Sequence, residues 1–521
     1  MQTTIGLARH SACYSADSSV CAVFDSVAET LGHSFSLECL SPWFGAFSKD
    51  GQRDAARDFL SRSQVVVTTL GMDALMSLRA EMASSPPFLY VPLGELPLGG
   101  RSLRATRNAF RAGDVVAVSC TADAAIFANL FSDFGATLKV IPFSVDTDAF
   151  VPMAEGRRQE LRRRLGLNPE DVVFLYAGRI TPEKNLQSVL RVVESVAKEG
   201  IPVRLLVVGR IVSVPLRGFS SGNDGSLRRF VEVVSHAPGF LRGRYGLLQE
   251  VHRRALPDLM GAADIFMNMT VHHDENFGLG QVEAMACGLP VIGSDWGGLK
   301  DTILDGVTGY RVPTWLTSWG VYVDRPMAVQ RCRQLATQPP LRRRMGSAAR
   351  KRAVDLFSKR VVARQLQDVV AQMADHDAGA SGGGAVLTNF GKEYEQAFGL
   401  QGITGDRYTR DNYHLYSRLI EPYATGRVNA SVDDERIVFA TSLMYDMDGS
   451  VMSIRDPLWS RKVELGGYEK MIMQELAAGD GMVKSELLAR LGASGPLRSV
   501  LEQCLRWLVE QGLVCPSERT A

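Results

Sequence analysis

The 521-residue sequence predicts an α/β chain with two doubly wound parallel sheets in succession, followed by a smaller α+β module. Three observations carry this reading. Short apolar runs recur without the alternation of a one-sided sheet, as strands buried on both faces require. Helical patterns separate the runs, giving repeated βα units. The series breaks and restarts once, at Asp171, and later gives way to a Gly/Ser-rich stretch, DAGASGGGA (Asp377–Ala385), of linker composition.

The first series runs from Thr3 to about Phe150 as TIGLA, SFSLECL, QVVVTTL, PFLYVPL, DVVAVS and LKVIPF. The second is DVVFLYAGRI, PVRLLVVG, ADIFMNM, LPVIGSD and TGYRVPT. A turn-rich join, VIPFSVDTDAFVP (Val140–Pro152), leads from one to the other, and a helical stretch from Pro339 to Met373 closes the second. The expected organisation is therefore a sheet domain over 1–145, a second over 146–375, a linker over 376–390 and a module over 391–521. Within the module, ERIVFATSLMYDMDGSVMSIRD places two strand-like runs around Asp448-Gly449, a hairpin signal. A short strand, RKVEL, then precedes three amphipathic stretches ending in EQGLV.

Composition narrows the function classes. Apolar residues make up 45% and charged residues 22%, as in globular proteins, and the net charge of +1 gives no global attraction to nucleic acid or anionic lipid. The eight cysteines form no CxxC pair and read as reduced thiols. The N-terminus, MQTTIGLARHSACYS, lacks a basic start followed by an apolar core, and no run is long enough to span a bilayer. A cytoplasmic protein without a membrane span is expected. The basic runs RRQELRRR (Arg157–Arg164) and LRRRMGSAARKR (Leu341–Arg352) read as solvated helix faces, as does RSLRATRNAFR (Arg101–Arg111).

Two stretches carry chemistry. In ENFGLGQVEAMACGLPVI (Glu275–Ile292) two glutamates flank a Phe-Gly-Leu-Gly loop that leaves the carboxyl end of the ADIFMNM strand. Gly278 and Gly280 permit close backbone approach to a ligand. The free N–H groups of the helix that starts there suit an anion such as phosphate. Glu283, about a turn and a half into that helix, can accept two hydrogen bonds from a vicinal diol such as ribose. Glu275 can reach a hydroxylated group beyond the phosphates. Together these contacts describe a nucleotide sugar. The plainer alternative makes Glu275 a helix-terminal acid and Glu283 a solvated helix residue. In YAGRITPEKNL (Tyr176–Leu186) a buried strand ends in Gly178, Arg179 follows, and Lys184 stands where a Pro-led helix opens. Two cations there would neutralise a diphosphate and stabilise it as a leaving group. His272 and His273, adjacent on a strand, point opposite ways and gather no ligand set, so no metal site is expected.

GRITPEKNL, ENFGLGQVEAMACGLPVI and GLKDTILDGVTGYRV together resemble the family-4 retaining glycosyltransferases of the GT-B fold, which pair two Rossmann-like domains. The resemblance covers about residues 140 to 370. It implies that Arg179 and Lys184 bind the donor diphosphate, beside Gly178, and that Glu283 binds the ribose. It implies that Glu275, with the backbone of Asn276, Phe277, Gly278 and Leu279, contacts the transferred sugar. It implies a nucleotide-diphosphate sugar as co-substrate, with a UDP-sugar the first expectation, and neither cofactor nor metal. In a retaining transfer the nucleophile is the acceptor itself, so no basic side chain is demanded. The N-terminal domain is short for the family. Where the family commonly has a histidine after the fourth strand, PFLYVPLGELP has none and Glu95 falls nearby. GLARHSACYSADSS, with Arg9 and His10, replaces the expected glycine-rich loop.

The C-terminal order of hairpin, strand and three helices resembles a winged helix. From Gly466 to Ala521 six Lys/Arg face seven Asp/Glu, a net of 6 − 7 = −1, which disfavours nucleic acid. The order is also similar to leader-peptide recognition domains of ribosomal-peptide biosynthesis, which implies a peptide or protein partner held as an added strand. The expectation is a tethered module that brings the acceptor to the transferase. The alternatives are a phosphorylase-like or hydrolytic use of the same site, and a non-catalytic nucleotide-sugar-binding protein that signals through the winged helix.

Overall fold

The computed structural model describes residues 3–8, 19–40, 51–68, 73–92, 109–133, 135–211, 239–241, 243–249, 251–272, 275–317, 320–375, 386–398, 410–427, 436–439, 444–448, 451–456, 459–478, 482–510 and 514–516. Packing divides the chain into two compact units. One gathers 1–149, 273–282 and 352–403; the other gathers 150–272, 283–351 and 404–521. This division differs from domains cut at 145, 375 and 390, because segments distant in sequence complete each unit. The Gly/Ser-rich stretch lies outside the described residues.

The first unit holds β1 (Thr4–Ala8), β2 (Ser36–Leu40), β3 (Val65–Thr68), β4 (Phe88–Tyr90), β5 (Val115–Val118) and β7 (Thr137–Val140), in the order β2-β1-β3-β4-β5-β7 and all parallel. Each falls within one of the expected apolar runs except β7, which begins one residue before LKVIPF. Val65, Val66, Val67, Phe88 and Val116 are fully buried, which is what unbroken runs in a doubly covered sheet require. Arg111, the one arginine of the expected basic face among the described residues, is buried; its guanidinium donates to the Arg79 and Met82 carbonyls. Two later segments return to this unit. The helix Lys359–Ala374 packs along Ser19–Gly32, where Gln367 Nε2 donates to Thr30 O at 3.1 Å. The strand Val386–Leu387 pairs antiparallel with β6 (Phe131–Asp133), and the helix Asn389–Phe398 follows against Thr121–Leu130.

The second unit holds β8 (Val172–Ala177), β9 (Val203–Val208), β10 (Tyr245–Leu248), β11 (Ile265–Asn268), β12 (Val291–Ser294) and β13 (Gly309–Val312), in the order β10-β9-β8-β11-β12-β13 and all parallel. The fold class read from the sequence is therefore observed in both sheets. Only β10 escaped that reading. It is a half-buried edge strand, YGLL, whose apolar run is short and interrupted by glycine.

The run Arg157–Arg164 is not a uniformly solvated face. Arg158 and Arg162, one helical turn apart, both reach Asp264, at 2.8 and 3.1 Å, and donate to the carbonyls of Gly261, Ala262 and Ala263. Asp264 also accepts the Val173 N–H at 2.9 Å. One carboxylate thus ties the amino ends of β8 and β11 together.

The segment 410–427 belongs to this unit as well. Its strand β17 (Gly426–Arg427) pairs parallel with β14 (Thr314–Thr317), which also forms a hairpin with β15 (Gly320–Val323). Further on, β19 (Met444–Asp448), β20 (Val451–Asp456) and β21 (Trp459–Glu464) form an antiparallel meander; the turn at Gly449 is outside the described residues. The helices Gly467–Ala478, Lys484–Arg490 and Gly495–Glu510 follow, as the amphipathic patterns predict. They enclose a core that includes Ile472, Leu476, Leu487, Leu501, Leu505 and Leu508.

The Asp264 cluster yields a stability prediction. Asp264→Ala strands a buried guanidinium and a strand N–H and should cost about 3–5 kcal/mol in urea unfolding. Arg157→Ala, on the same helix but in an exposed pair with Asp258, should leave the midpoint nearly unchanged.

Candidate functional site

The order of the second sheet reverses at β8: the chain steps outward through β9 and β10, then crosses back to β11. Carboxyl ends of neighbouring strands at such a reversal are where open α/β sheets bind ligands. Both chemistry-bearing stretches leave the sheet there.

The connection from β8 begins with Gly178, whose N–H donates to Val208 O at 2.9 Å. The need for a missing side chain lies opposite, at Gly209, where φ is +152° and a Cβ would stand 1.8 Å from Gly178 O. At Gly178 itself a Cβ would meet nothing nearer than Tyr176 Oη at 3.7 Å. Arg179 is exposed, and its guanidinium has no acidic partner among the described residues; its carbonyl accepts from Tyr176 Oη at 2.6 Å. A 3-10 turn, Pro182–Lys184, brings Lys184 to a half-buried position ahead of the helix Leu186–Lys198. Between them Asn185 adopts a left-handed conformation, φ +56°, fully buried. Its side chain donates to Met269 O at 2.9 Å and accepts from Ser188 Oγ at 2.7 Å. Asn185 therefore fastens the cation-bearing turn to the segment that leaves β11. Sequence reasoning passed over it, although an Asn at a helix start is a recognisable signal for this backbone state.

That segment is fixed by further bonds. Glu183 O accepts from Val271 N at 3.0 Å, and the Glu183 carboxylate lies 3.8 Å from His272 Nε2, both side chains being buried. Trp296 Nε1 donates to His272 O at 2.8 Å, and Ser294 Oγ donates to Thr270 O at 2.5 Å. His273 lies outside the described residues. Among the described residues, no cluster of three or more His, Cys, Asp and Glu gathers at any point.

Glu275, Asn276, Phe277 and Gly278 are all buried, and they pack with the first unit. Phe277 stands edge-on to Phe143 and Phe357, with ring centroids 5.7 and 5.5 Å away, so its side chain serves as an anchor. The Asn276 carbonyl accepts from Ser119 Oγ at 3.1 Å, while its buried Nδ2 has no hydrogen-bond partner among the described residues. Gly278, at φ +79°, starts the helix Leu279–Ala286; its carbonyl accepts from Gln281 N and Val282 N.

Glu283, in the second unit, is 2% exposed, which removes the solvated alternative. Its carboxylate pairs with the Arg253 guanidinium. Burial pushes the carboxyl up to about 7, and the Arg253 charge works in the opposite direction. One turn on, burial and then the neighbouring Glu283 push the Cys287 thiol up to about 12, with Arg350 opposing. Arg253 is partly exposed and lies 5.9 Å over the Phe150 ring. Nothing in local spacing pairs it with an acid thirty positions away, so pattern reading missed it; only the rule that a buried acid needs a cation could have asked for it. Arg9, His10 and Glu95 lie outside the described residues.

Comparison with known proteins bears on the family and the fold. Residues 157–352 match the family model described as "Glycosyl transferases group 1". A D-inositol 3-phosphate glycosyltransferase of Xylanimonas cellulosilytica is 33% identical over 204 residues, 39% of this chain and 45% of that protein. An alpha-maltose-1-phosphate synthase of Mycobacterium tuberculosis is 26% identical over 232 residues, 44% of this chain and 55% of that protein. The chain thus spans about half the length of the curated relatives it matches. Among solved structures, sucrose-phosphate synthase from Thermosynechococcus elongatus superposes with a TM-score of 0.51 at 18% identity, over 71% of this chain and 99% of that one. Anabaena Alr3699/HepE in complex with UDP and glucose gives 0.51 at 17% identity, over 71% and 100%. These likenesses carry the fold, two Rossmann-like domains of GT-B type. The stretch that bears Arg179, Lys184, Glu275 and Glu283 lies wholly inside the match to the group 1 glycosyltransferases.

Proposed function

We propose that the chain is a retaining glycosyltransferase that moves a sugar from a nucleotide-diphosphate sugar, a UDP-sugar before others, to an acceptor. The observation that carries this is the pairing, at the reversal between β8 and β11, of a cation-bearing connection with a helix that holds a buried acid. Negative charge accumulates on the diphosphate as the glycosidic bond breaks. Arg179 and Lys184 meet that charge, in a role that needs no metal. Glu283 accepts the two ribose hydroxyls. Glu275, with the backbone of Asn276 to Leu279, holds hydroxyls of the sugar. The acceptor hydroxyl is the nucleophile, so the transfer needs no covalent sugar–enzyme intermediate. The solved HepE complex with UDP and glucose supports the donor class through fold alone.

The acceptor in this proposal is a peptide or protein held by the C-terminal region. The β19–β21 meander supports it: among the described residues β19 and β21 each pair only with β20, which leaves edges for an added strand. No described helix is long and apolar enough to cross a membrane. We place the reaction in the cytoplasm on the scattered cysteines, of which 39, 120, 287, 332 and 504 form no disulfide among the described residues.

The two cations are tested by turnover. Arg179→Ala and Lys184→Ala should each lower kcat more than about tenfold with a smaller change in KM, since their contribution grows toward the transition state. Wild-type turnover should survive EDTA. Near wild-type kcat in both variants would remove the diphosphate assignment, and loss in EDTA with rescue by added metal would remove the metal-free one.

Glu283 is tested by pH. A diol is best held by the ionised carboxylate, so UDP affinity in calorimetry should rise as pH climbs through about 7. Glu283→Gln should flatten that rise, leaving only the titration of the phosphate, and should weaken binding by about 1.5–3 kcal/mol. Arg253→Met removes the charge that favours ionisation and should move the midpoint upward. Unliganded stability runs the other way. A carboxyl whose folded pKa is raised is most stabilising below its unfolded value near 4.5, and that contribution is lost as pH rises through about 7. Glu283→Gln should therefore flatten thermal stability across that window.

A further inference from the structure

We infer that the donor site is completed from the C-terminal region: Tyr423, acting through Trp296 and His272, positions the cation-bearing turn Thr181–Asn185. The inference rests on the donor reading above. It assigns positioning residues to that site from sequence beyond the 157–352 family match.

The contacts form one continuous path inside the second unit. Tyr423 is fully buried, and its ring packs on that of Trp296, also fully buried, with centroids 5.7 Å apart. The backbone around it is bound to the loop after β12. Gly297 N donates to Tyr423 O at 2.9 Å, and Lys300 Nζ donates to Pro422 O and Ala424 O at 3.1 and 2.9 Å. Thr425 is bonded three ways: its N–H to Thr314 O at 2.7 Å, its Oγ1 from Thr314 N at 2.8 Å, and its hydroxyl to Asp295 at 2.7 Å. Immediately after it, β17 adds to the β14 ladder. From Trp296 the path turns inward. Its indole N–H holds His272 O, and Val271 N and Thr270 Oγ1 hold the Glu183 carbonyl at the centre of the turn. The Glu183 carboxylate faces the His272 ring, and Asn185 closes the circuit on Met269.

Packed, hydrogen-bonded interiors transmit displacement because they lack slack. A neighbour lost at Tyr423 leaves a cavity beside Trp296, and a tilt of its indole loosens the bond that fixes the 270–272 backbone. A chain cut in the Gly/Ser-rich stretch would therefore lack part of its donor unit as well as its C-terminal helices.

Hydrogen–deuterium exchange on the full-length, ligand-free protein reads the path without reference to catalysis. Trp296→Phe keeps the ring contact and deletes the N–H to His272. Thr425→Val deletes the two hydroxyl bonds that fasten the segment just after Tyr423, at little cost in volume. Both should raise exchange in peptides covering 180–187 and 268–272; Trp296→Phe should weaken UDP binding about tenfold, as for one lost buried hydrogen bond at the top of its usual range, and Thr425→Val, whose bonds are more exposed, by less. Leu335→Ala, fully buried in the helix Arg325–Thr337 and off the path, controls for general destabilisation. It should lower the melting temperature and leave both readouts unchanged. Wild-type exchange over 180–187 in both path variants overturns the inference, as does an equal response to Leu335→Ala. A wild-type protein that binds no nucleotide diphosphate would instead refute the donor reading, and the exchange pattern would still decide whether the path exists.

Discussion

The reversal between β8 and β11 is the constraint on which the donor unit depends. Parallel strands need crossover connections, and those connections are right-handed. A chain that leaves β8 toward β9 and leaves β11 toward β12 therefore lays the two following helices on opposite faces of one sheet. The space between their starts cannot be filled by either crossover. The proposed functional residues of this unit lie on the connections that leave those two strands, and several bonds tie the strands to one another. Asp264 joins their amino ends by drawing Arg158 and Arg162 and the Val173 N–H onto one carboxylate. Asn185 joins their carboxyl ends through Met269. Gly209 lets the neighbouring strand close on the Gly178 carbonyl, a fit that any Cβ would forbid.

Electrostatically the same region is divided by burial. Arg179 is exposed, so its charge costs little in the free protein and is available to an incoming anion. Glu283 is buried, and the desolvation that lifts its carboxyl to about 7 shows what its placement costs. Arg253 recovers part of that cost from outside. A buried carboxylate with one half-exposed cation as counterweight is a poor stability device, because hydrophobic replacements of such pairs are often neutral or better. It is a sensible binding device, since a diol that takes the free lone pairs restores hydrogen bonds the fold has removed. That asymmetry suits the proposed ribose role better than a structural one.

How much of this was legible in the sequence depends on the range of the interaction. Eleven strands of the two sheets fall on apolar-rich runs; those covered on both faces are apolar without any partner information, while β2 and β7, which are more exposed, carry Glu38 and Lys139. The cations and the paired glutamates also show, since each lies a few positions from a strand end or a helix start that the chain itself announces. The edge strand β10 does not, because YGLL is short and interrupted by glycine. The inward turn of Arg158 and Arg162 was invisible for another reason: a basic helix face looks the same whether water or Asp264 answers it. Arg253 and Tyr423 meet their partners only after folding has brought distant segments together, and no local pattern records that meeting.

The C-terminal region shows the same limit at larger scale. A glycine- and serine-rich stretch invites the reading that everything after it is tethered. Yet 386–398 closes on β6 and the helix before it, and 410–427 is bonded strand to strand into the donor unit. The helices from Gly467 onward, by contrast, enclose a core of their own residues. A recruiting role through raised local concentration belongs to a module that can move relative to the site it serves. The part with its own core is the candidate for such a module. The welded part is bound by buried aromatic contacts and backbone bonds, which suit fixing a geometry. The region therefore divides into a part bonded into the second unit and a part packed on a core of its own, and the point of division lies after Arg427, well beyond the glycines.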